Sequence, residues 1–345
     1  MSPGDRRGWR DRLRGVRWRD LAPALVLGGV LVLIGAIVLF GAVGHGPRTT
    51  PPTTAPTGPG PTPHVSPAPS GESGSPSPSR PGGSGRPTLN PSSLPTLPGC
   101  LAPISLSVMT FNIHGGVRVA SPRVLDLDRI VAEIKAARPD VVLLQEIDRH
   151  RRRSDDLDVP AVLGKRLGMA STFGLNVRHG AVGEYGTAVL SRYPITATRN
   201  TPLPRPAGTQ QRGLLLARIS VAGQQVDIYD THLENTSPAA RRVQIARIRD
   251  LIADADHPVI LGGDFNATPT TEVLRVARGF LRDSWAEVGS GSGATHGGRH
   301  HLRIDYLLHN SWLTPLQAQV RPSAVSDHRA LLVGYALWSK EGCGS

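Results

Sequence analysis

Hydrophobic and polar positions divide the chain into three stretches of unlike pattern. Leu21–Gly44 (LAPALVLGGVLVLIGAIVLFGAVG) runs for 24 residues without a charge. At a rise of about 1.5 Å per residue, that length crosses a hydrocarbon core of about 30 Å as one helix. His45–Gly99 has no apolar period and almost no large apolar side chain, so it lacks the means to bury a core and is expected to be disordered. From Cys100 to Ser345, short apolar runs alternate with longer amphipathic ones.

Within that last stretch, Ile104–Ile113 alternates loosely, is rich in β-formers and predicts a first strand. Asp126–Ala137 carries Leu127, Ile130, Val131 and Ile134 at helical spacing, and Pro139 ends the helix. Asp140–Gln145 (DVVLLQ) is a continuous apolar run, as in a strand buried on both faces. Ala161–Leu167 predicts a short helix, and Gly186–Ser191 and Ile195–Thr198 predict strands around Tyr193-Pro194. Leu214–Val221 and Gln225–Tyr229 predict a hairpin about Ala222-Gly223. Pro238–Ala253 predicts a helix with proline in its first turn and a stripe of Val243, Ile245, Ile248, Leu251 and Ile252. Val259–Leu261 is a strand closed by Gly262-Gly263, and Thr271–Ala277 is a short helix. A loop at Gly289–Gly298 and strands at Arg303–Leu308 and Ala330–Tyr335 complete the series.

Composition sharpens the division. Of 31 prolines, 16 fall between His45 and Gly99, which leaves 100–345 as the one region able to build a sizeable core. The net charge of +12 splits into +4 over residues 1–20, +2 over the linker and +6 over the C-terminal region. Seven arginines precede Leu21, so the positive-inside rule keeps residues 1–20 cytoplasmic. The rest of the chain is then expected outside the cell membrane, on a single-pass anchor. A cleaved signal peptide is the competing reading, but its apolar core would be only about 7–15 residues. The linker extends as a spacer of up to roughly 170 Å if polyproline-like. Cys100 and Cys343 bracket the folded region and, outside the cell, are expected to pair as a disulfide. The modest positive excess favours a polyanion, although 36 arginines against three lysines also fits GC-rich codon usage.

Polar groups recur at strand ends: Asn112, Glu146, His232, Asp264 with Asn266, Asp305, Asp327 and His328. Active sites in α/β proteins gather at such positions, where the scaffold is rigid and the loops are free. Asp264 and Asn266 lie two apart, so an extended backbone would point both to one face. The alternative is an Asx-type turn. Glu146 suits a metal ligand or a solvated loop acid. Arg149, Arg151, Arg152 and Arg153 lie in a charged loop, Asp148–Asp158, that suits phosphate contacts or a solvated run.

Taken together, Thr110-Phe111-Asn112, Gln145-Glu146, Gly183–Arg192 (GEYGTAVLSR), Thr231-His232-Leu233, Gly263–Asn266 (GDFN), Arg303–Tyr306 (RIDY) and Ser326–Arg329 (SDHR) resemble the endonuclease/exonuclease/phosphatase, deoxyribonuclease I-like superfamily. The resemblance implies a four-layer α/β sandwich, two mixed β-sheets flanked by helices, here preceded by the transmembrane helix and linker. It implies hydrolysis of phosphate esters with Mg²⁺ or Mn²⁺. By the same resemblance, Glu146 is the main metal ligand with Asn112 beside it, and Asp327 ligates metal or supports the site. Asp264 orients or deprotonates the attacking water, and Asn266 holds phosphate. His328 and Asp305 form a His–Asp pair. His232 contacts phosphate or serves the leaving group, Glu184 is its carboxylate partner, and Tyr185 lies nearby. One departure stands out: where relatives carry Thr-Phe, this chain has Thr295-His296, followed by Gly297-Gly298-Arg299-His300-His301. Those histidines suit phosphate, a metal or an ordinary basic loop.

Three substrates fit such an enzyme: nucleic acid, a lipid headgroup such as sphingomyelin or a phosphoinositide, and a small phosphodiester. A nuclease-type phosphodiesterase, acting as a monomer without a protein partner, is the leading expectation. A catalytically silent module that binds cell wall or a partner is the non-enzymatic alternative.

Overall fold

The central strands form where apolar runs have a layer to pack on at each face. In β1 (Ile104–Asn112), Leu106 and Val108 face one core while Met109 and Phe111 face another. β2 (Val141–Arg149) repeats this, with Val141 and Leu143 on one side and Val142 and Leu144 on the other. The continuous run DVVLLQ is therefore buried on both faces, as its pattern requires. The structure is a computed structural model that describes residues 103–121, 124–297 and 301–338. The apolar segment 21–44, the linker and both cysteines lie outside the described residues. Among the described residues, no helix is long and apolar enough to cross a membrane.

Two six-stranded mixed sheets stack face to face. The first runs β11-β12-β1-β2-β4-β3, adding β3 (Ala170–His179), β4 (Gly183–Ser191), β11 (Leu313–Arg321) and β12 (Ala330–Leu337). The second runs β5-β6-β7-β8-β10-β9. Its strands are β5 (Ile195–Pro202), β6 (Gly213–Val221), β7 (Gln224–His232), β8 (Val259–Asp264), β9 (Arg282–Asp283) and β10 (Asp305–His309). Leu106, Val108, Leu143, Leu215, Ile228, Ile260 and Val333 form the seam between the sheets. α1 (Leu127–Ala137) and α2 (Val159–Leu167) cover the first sheet. α3 (Pro238–Ile252) and α4 (Glu272–Ala277) cover the second. A short α5 (Ser284–Val288) follows β9. The expected four-layer sandwich is present.

Side chains fix where the helices start. Asp126 accepts from Arg129 N at 3.0 Å, Asp158 from Ala161 N at 3.2 Å and Ser237 from Ala240 N at 3.2 Å, each satisfying an otherwise orphaned donor. The β6–β7 hairpin turns at Ala222 and Gly223, both with positive φ, as the sequence predicted.

The pattern misled in three places. β3 and β11 were not anticipated. Both are edge strands with one hydrogen-bonded neighbour and half-exposed faces, so little alternation marks them, and Pro315 sits at a bulge in β11. Val243, assigned to the buried stripe of α3, is 45% exposed, and Ala240 and Gln244 are buried in that helix instead. β2 also runs on into the expected loop as far as Arg149, leaving Asp148 fully buried.

Asp283 anchors the segment that delivers β10. It takes Arg303 Nη1 at 2.9 Å on Oδ1 and Arg303 Nη2 at 3.0 Å on Oδ2, and Arg278 Nη2 joins Oδ2 at 2.8 Å. Burial works to raise its pKa, but the two arginines outweigh it and hold the carboxyl below the ordinary value. A depressed carboxylate contributes stability above its unfolded pKa and loses it as pH falls through the folded one. Asp283→Asn strands a buried guanidinium, so urea unfolding at pH 7 should show a loss of about 3–5 kcal/mol. The gap between wild type and variant should shrink below about pH 4.

Candidate active site

Strand register brings the site together. β7 and β8 are parallel with His232 opposite Asp264, and β8 and β10 are antiparallel with Asp264 opposite Asp305. Three neighbouring strands thus present three functional side chains in a row. In the other sheet, β1 and β2 are parallel, with Asn112 opposite Gln145. β10 and β12 run the opposite way, so Asp305, Asp327 and His328 reach the same edge from strand beginnings rather than strand ends. Gly263 makes the approach possible: its φ is +133°, and a Cβ there would lie 1.8 Å from Thr231 O.

The extended-backbone reading of Asp264 and Asn266 is corrected. β8 stops at Asp264 and Asn266 has φ +48°, so alternation does not set their faces. Asn266 N donates to Asp264 Oδ1 at 2.9 Å, the Asx-type turn, and Asn266 Nδ2 donates to Leu233 O at 3.0 Å. The turn occupies one Asp264 oxygen and aims the other into the cleft.

That second oxygen, Oδ2, is the hub. Asn112 Nδ2 donates to it at 3.1 Å, His232 Nε2 lies 3.5 Å away and His328 Nε2 3.7 Å away. His328 Nδ1 donates to Asp305 Oδ2 at 2.9 Å. Thr295 Oγ1 accepts from Ile304 N and Asp305 N, each at 3.1 Å, and so fixes the start of β10. Burial and the Asp305 charge push Asp264 up to about 7 against the pull of His328 and its two donors. Burial disfavours charge on His328, but Asp305 and Asp264 overcome it and raise the imidazole to about 10. Burial, then the charges of Arg212 and His328, hold His232 well below the ordinary value. Near neutral pH one histidine is charged, the other neutral, and Asp264 titrates between them. Environments that push neighbouring pKa values apart separate acid, base and electrostatic roles.

Glu146 is not simply past a strand. The β2–β4 register shifts between Leu144 and Ile147, and Glu146 sits in that bulge with φ +59°. Bulges re-aim side chains in this way. Asn112 Nδ2 donates to Glu146 Oε1 at 3.3 Å, while its Oδ1 accepts from His114 N at 3.1 Å. Asn112 therefore bridges Glu146 and Asp264 with its nitrogen, and its oxygen is turned away from them. Glu146 Oε2 and Asp327 Oδ1 lie 3.9 and 3.7 Å from His114 Nδ1. Both are half-buried carboxylates, the donor type a hard divalent cation takes, but among the described residues the metal-capable groups whose ligand atoms lie within 4.8 Å of one another are His296, Asp327 and His328, and Asp264, Asp305 and His328.

Glu184 does not meet His232. Its oxygens are taken by Arg149 Nη1 at 3.1 Å and Arg178 Nη1 at 2.9 Å, because all three lie along paired edges of β2, β4 and β3. Tyr185 is buried, and burial with the Glu146 charge keeps its phenol neutral. Its ring lies 5.8 Å from the guanidinium carbons of both Arg151 and Arg153.

Sequence reasoning missed several contributors. Fully buried Asp148 clamps Arg151 Nη1 at 2.9 Å and Arg153 Nε at 2.5 Å, so part of the presumed solvated run is a fixed basic rim. Buried Arg212 and Glu234 pair behind His232 at 3.4 Å. Asp230 lies between the sheets and takes Gln145 Nε2 at 2.7 Å, and burial raises its pKa well above the ordinary carboxylate value. His114 had a signal, the Asn112–Gly116 stretch, but was not selected. Of the Thr295–His301 departure, 298–300 lie outside the described residues; His296 Nε2 stands 3.7 Å from Asp327 Oδ2.

The sequence pattern described as Endonuclease/Exonuclease/phosphatase family matches residues 109–328, and the chain belongs to that family of phosphoester hydrolases. An endonuclease/exonuclease/phosphatase from Beutenbergia cavernae superposes with TM-score 0.59 at 30% identity, over 68% of this chain and 72% of that one. The catalytic domain of human Nocturnin, with bound sulfate, superposes with TM-score 0.54 at 21% identity, over 68% and 94% of the two chains, a likeness of fold. The uncharacterized protein YbhP of Escherichia coli K12 is 28% identical over 173 residues, 47% of this chain and 67% of its own.

The raised His328 pKa is directly observable. With chelator present, its imidazole NMR signals should stay those of the charged ring through pH 8, and Asp305→Asn should bring the titration down towards about 6.5. The sign for stability follows: a raised histidine contributes fully below about 6.5 and loses that contribution as pH rises through about 10.

Proposed function

We propose that this chain is a membrane-anchored, extracytoplasmic, divalent-metal-dependent phosphodiesterase that acts on nucleic acid. The carrying observation is Asp264 Oδ2, held between a charged and a neutral histidine. In-line attack on a phosphodiester needs a positioned water, a proton acceptor and neutralised phosphate oxygens. Asp264, with its pKa near 7, accepts the proton from the attacking water. The His328 imidazolium, backed by Asp305, faces the equatorial oxygens, and Asn266 Nδ2 adds a donor there. Neutral His232 hydrogen-bonds a phosphate oxygen or the leaving group. Glu146 and Asp327 would hold the metal, which supplies charge neutralisation on the phosphate oxygens, and Asn112 Nδ2 links Glu146 to Asp264.

The basic rim supports nucleic acid over a lipid headgroup. Arg151 and Arg153 share one buried carboxylate, so that cluster keeps surplus positive charge, whereas Arg149 and Arg178 are balanced by Glu184 and Asp158. Guanidiniums beside a buried aromatic ring suit phosphates that flank the scissile one. The segment 21–44 and its arginine-rich flank support the anchor.

A substrate panel tests the proposal: single- and double-stranded DNA, RNA, sphingomyelin and phosphoinositide vesicles, and bis-p-nitrophenyl phosphate. The full chain should cleave nucleic acid with Mg²⁺ or Mn²⁺, stop with EDTA, and lose about 10²–10⁴-fold in kcat on Asp264→Asn. Lipid hydrolysis alone would transfer the reading to a phospholipid phosphoesterase. Inertness across the panel would leave a non-catalytic binding module.

Arg153→Ala should separate binding from chemistry. KM for nucleic acid should rise with kcat little changed, and the salt dependence should flatten by about one unit of slope. Cleavage of the uncharged-flank substrate bis-p-nitrophenyl phosphate should be nearly unaffected.

A further inference from the structure

His296 puts a further imidazole beside the site, and the hydrolytic scheme gives it no role. Backbone pairing fixes it there. His296 forms a β-bridge with His328, its N–H donates to Leu302 O at 2.9 Å, and Gly297 N donates to Asp327 O at 2.8 Å. On the other side Arg329 N donates to Thr295 O. Residues 295–297 therefore run against 327–329 as a short antiparallel ladder, which brings facing side chains within reach of one another.

Ligand atoms converge on that ladder. His296 Nε2 stands 3.7 Å from Asp327 Oδ2. His296, Asp327 and His328 each offer one ligand atom, and the three lie within 4.8 Å of one another. Two donors on one ion, at bond lengths of about 2.0–2.2 Å, stand up to roughly 4 Å apart, so the cluster closes on an ion with shifts of less than about 1 Å. The two imidazole rings have centroids 4.8 Å apart and planes at 74°. Two imidazoles on one tetrahedral ion at those bond lengths place their centroids roughly 5 Å apart. His328 Nδ1 is bonded to Asp305 Oδ2 at 2.9 Å, which leaves Nε2 for an ion. A carboxylate on the far nitrogen is the usual outer partner of a metal-bound histidine. Asp305 Oδ1, buried without a hydrogen-bond partner, adds negative charge that no donor offsets. The side chains of His296 and Asp327 are 28% and 37% exposed, open enough to admit an ion.

We propose that His296 Nε2, Asp327 Oδ2 and His328 Nε2 form a three-ligand site for a borderline transition ion such as Zn²⁺, distinct from the ion assigned to Glu146 and sharing only Asp327 with it. Two imidazoles and one carboxylate suit Zn²⁺, whereas Mg²⁺ prefers an oxygen shell. Water completes the tetrahedron. The ion takes the place of the proton on His328, and the carboxylates that favour positive charge on that ring, Asp305 and Asp264, favour the dication as well. With Nε2 coordinated, His328 no longer faces a phosphate oxygen, so the bound ion switches hydrolysis off. That consequence rests on the phosphodiesterase reading; the binding does not.

Zn²⁺ titrated into the full chain in saturating Mg²⁺ tests both parts. Imidazole NMR of wild type should show the His296 and His328 rings shifting together at one apparent Kd. Calorimetry should show Zn²⁺ affinity falling at least about tenfold in His296→Phe, which loses one of three ligands. Mg²⁺ affinity of that variant should stay within about threefold of wild type, since its oxygen ligands remain. Circular dichroism checks that the variant folds. Zn²⁺ should inhibit Mg²⁺-driven cleavage by wild type, with the half-inhibiting concentration raised at least about tenfold in His296→Phe. Shifts confined to one ring, or equal Zn²⁺ affinity in wild type and variant, would overturn the site. Joint shifts in a chain inert on every substrate would keep the site and remove the phosphodiesterase reading. Joint shifts with cleavage unimpaired would keep the site and overturn its inhibitory role.

Discussion

The site depends on burying more negative than positive charge. Asp264 and Asp305 are both almost fully buried, and one imidazolium, His328, lies between them at 3.7 and 2.9 Å. Buried carboxylates are tolerated only when paired and hydrogen-bonded. Here one cation serves two anions, and Asn112 Nδ2 and Asn266 N donate to Asp264, while Asp305 Oδ1 is left without a hydrogen-bond partner. The shortfall falls on Asp264, which is why its pKa rises to about 7. In the proposed reaction a carboxylate in that condition would take a proton from water, so the electrostatic deficit that weakens the native state would also make the group useful.

That arrangement requires two sheets to meet at one edge. The parallel pairs β1–β2 and β7–β8 send Asn112, Glu146, His232 and Asp264 in the same direction, and the antiparallel β10 and β12 return Asp305 and His328 to it. Close approach between β7 and β8 needs glycine at 263, and the reach of Glu146 needs the β2 bulge. Neither feature adds to the core. Both are local departures from regular sheet that rigid packing beneath them can hold, with Asp230, Gln145 and Thr110 joined by hydrogen bonds between the layers.

How much of this the sequence carried follows from which forces are local. Central strands were legible because burial on both faces writes itself as an unbroken apolar run, as in Val141–Leu144. Edge strands β3 and β11 were not, since half-exposed positions are free to be polar. Asp264, Asp305, His232 and His328 could be chosen from the sequence and do converge in space. The partner of each could not be chosen with equal success. Glu184 was assigned to His232 by family position, yet Arg149 and Arg178 reach it first across the sheet. Asp148 looked solvated within DRHRRRSDDLD because the arginines that neutralise it fold back from three and five residues on. Ion pairing over such turns leaves no period to read.

The same rim bears on which phosphate ester the cleft accepts. A lipid surface would need contiguous exposed apolar side chains near the site. Of the large exposed apolar residues among those described, Val243 lies on the outer helix α3 and Val182 in the β3–β4 turn, while Val119, Val124 and Leu302 are scattered over loops that bond to Val325 and His296 beside the site. Around the cleft, the fixed groups are instead guanidiniums: Arg153 packs against Gly115, one residue from His114, and with Arg151 lies near the Tyr185 ring. The donors of Arg151 and Arg153 that Asp148 does not take are partly exposed and open to an anion at the surface. For the proposed nuclease reading, a polyanion with phosphates on either side of the scissile bond would supply that anion more than once, where a single headgroup would supply it once.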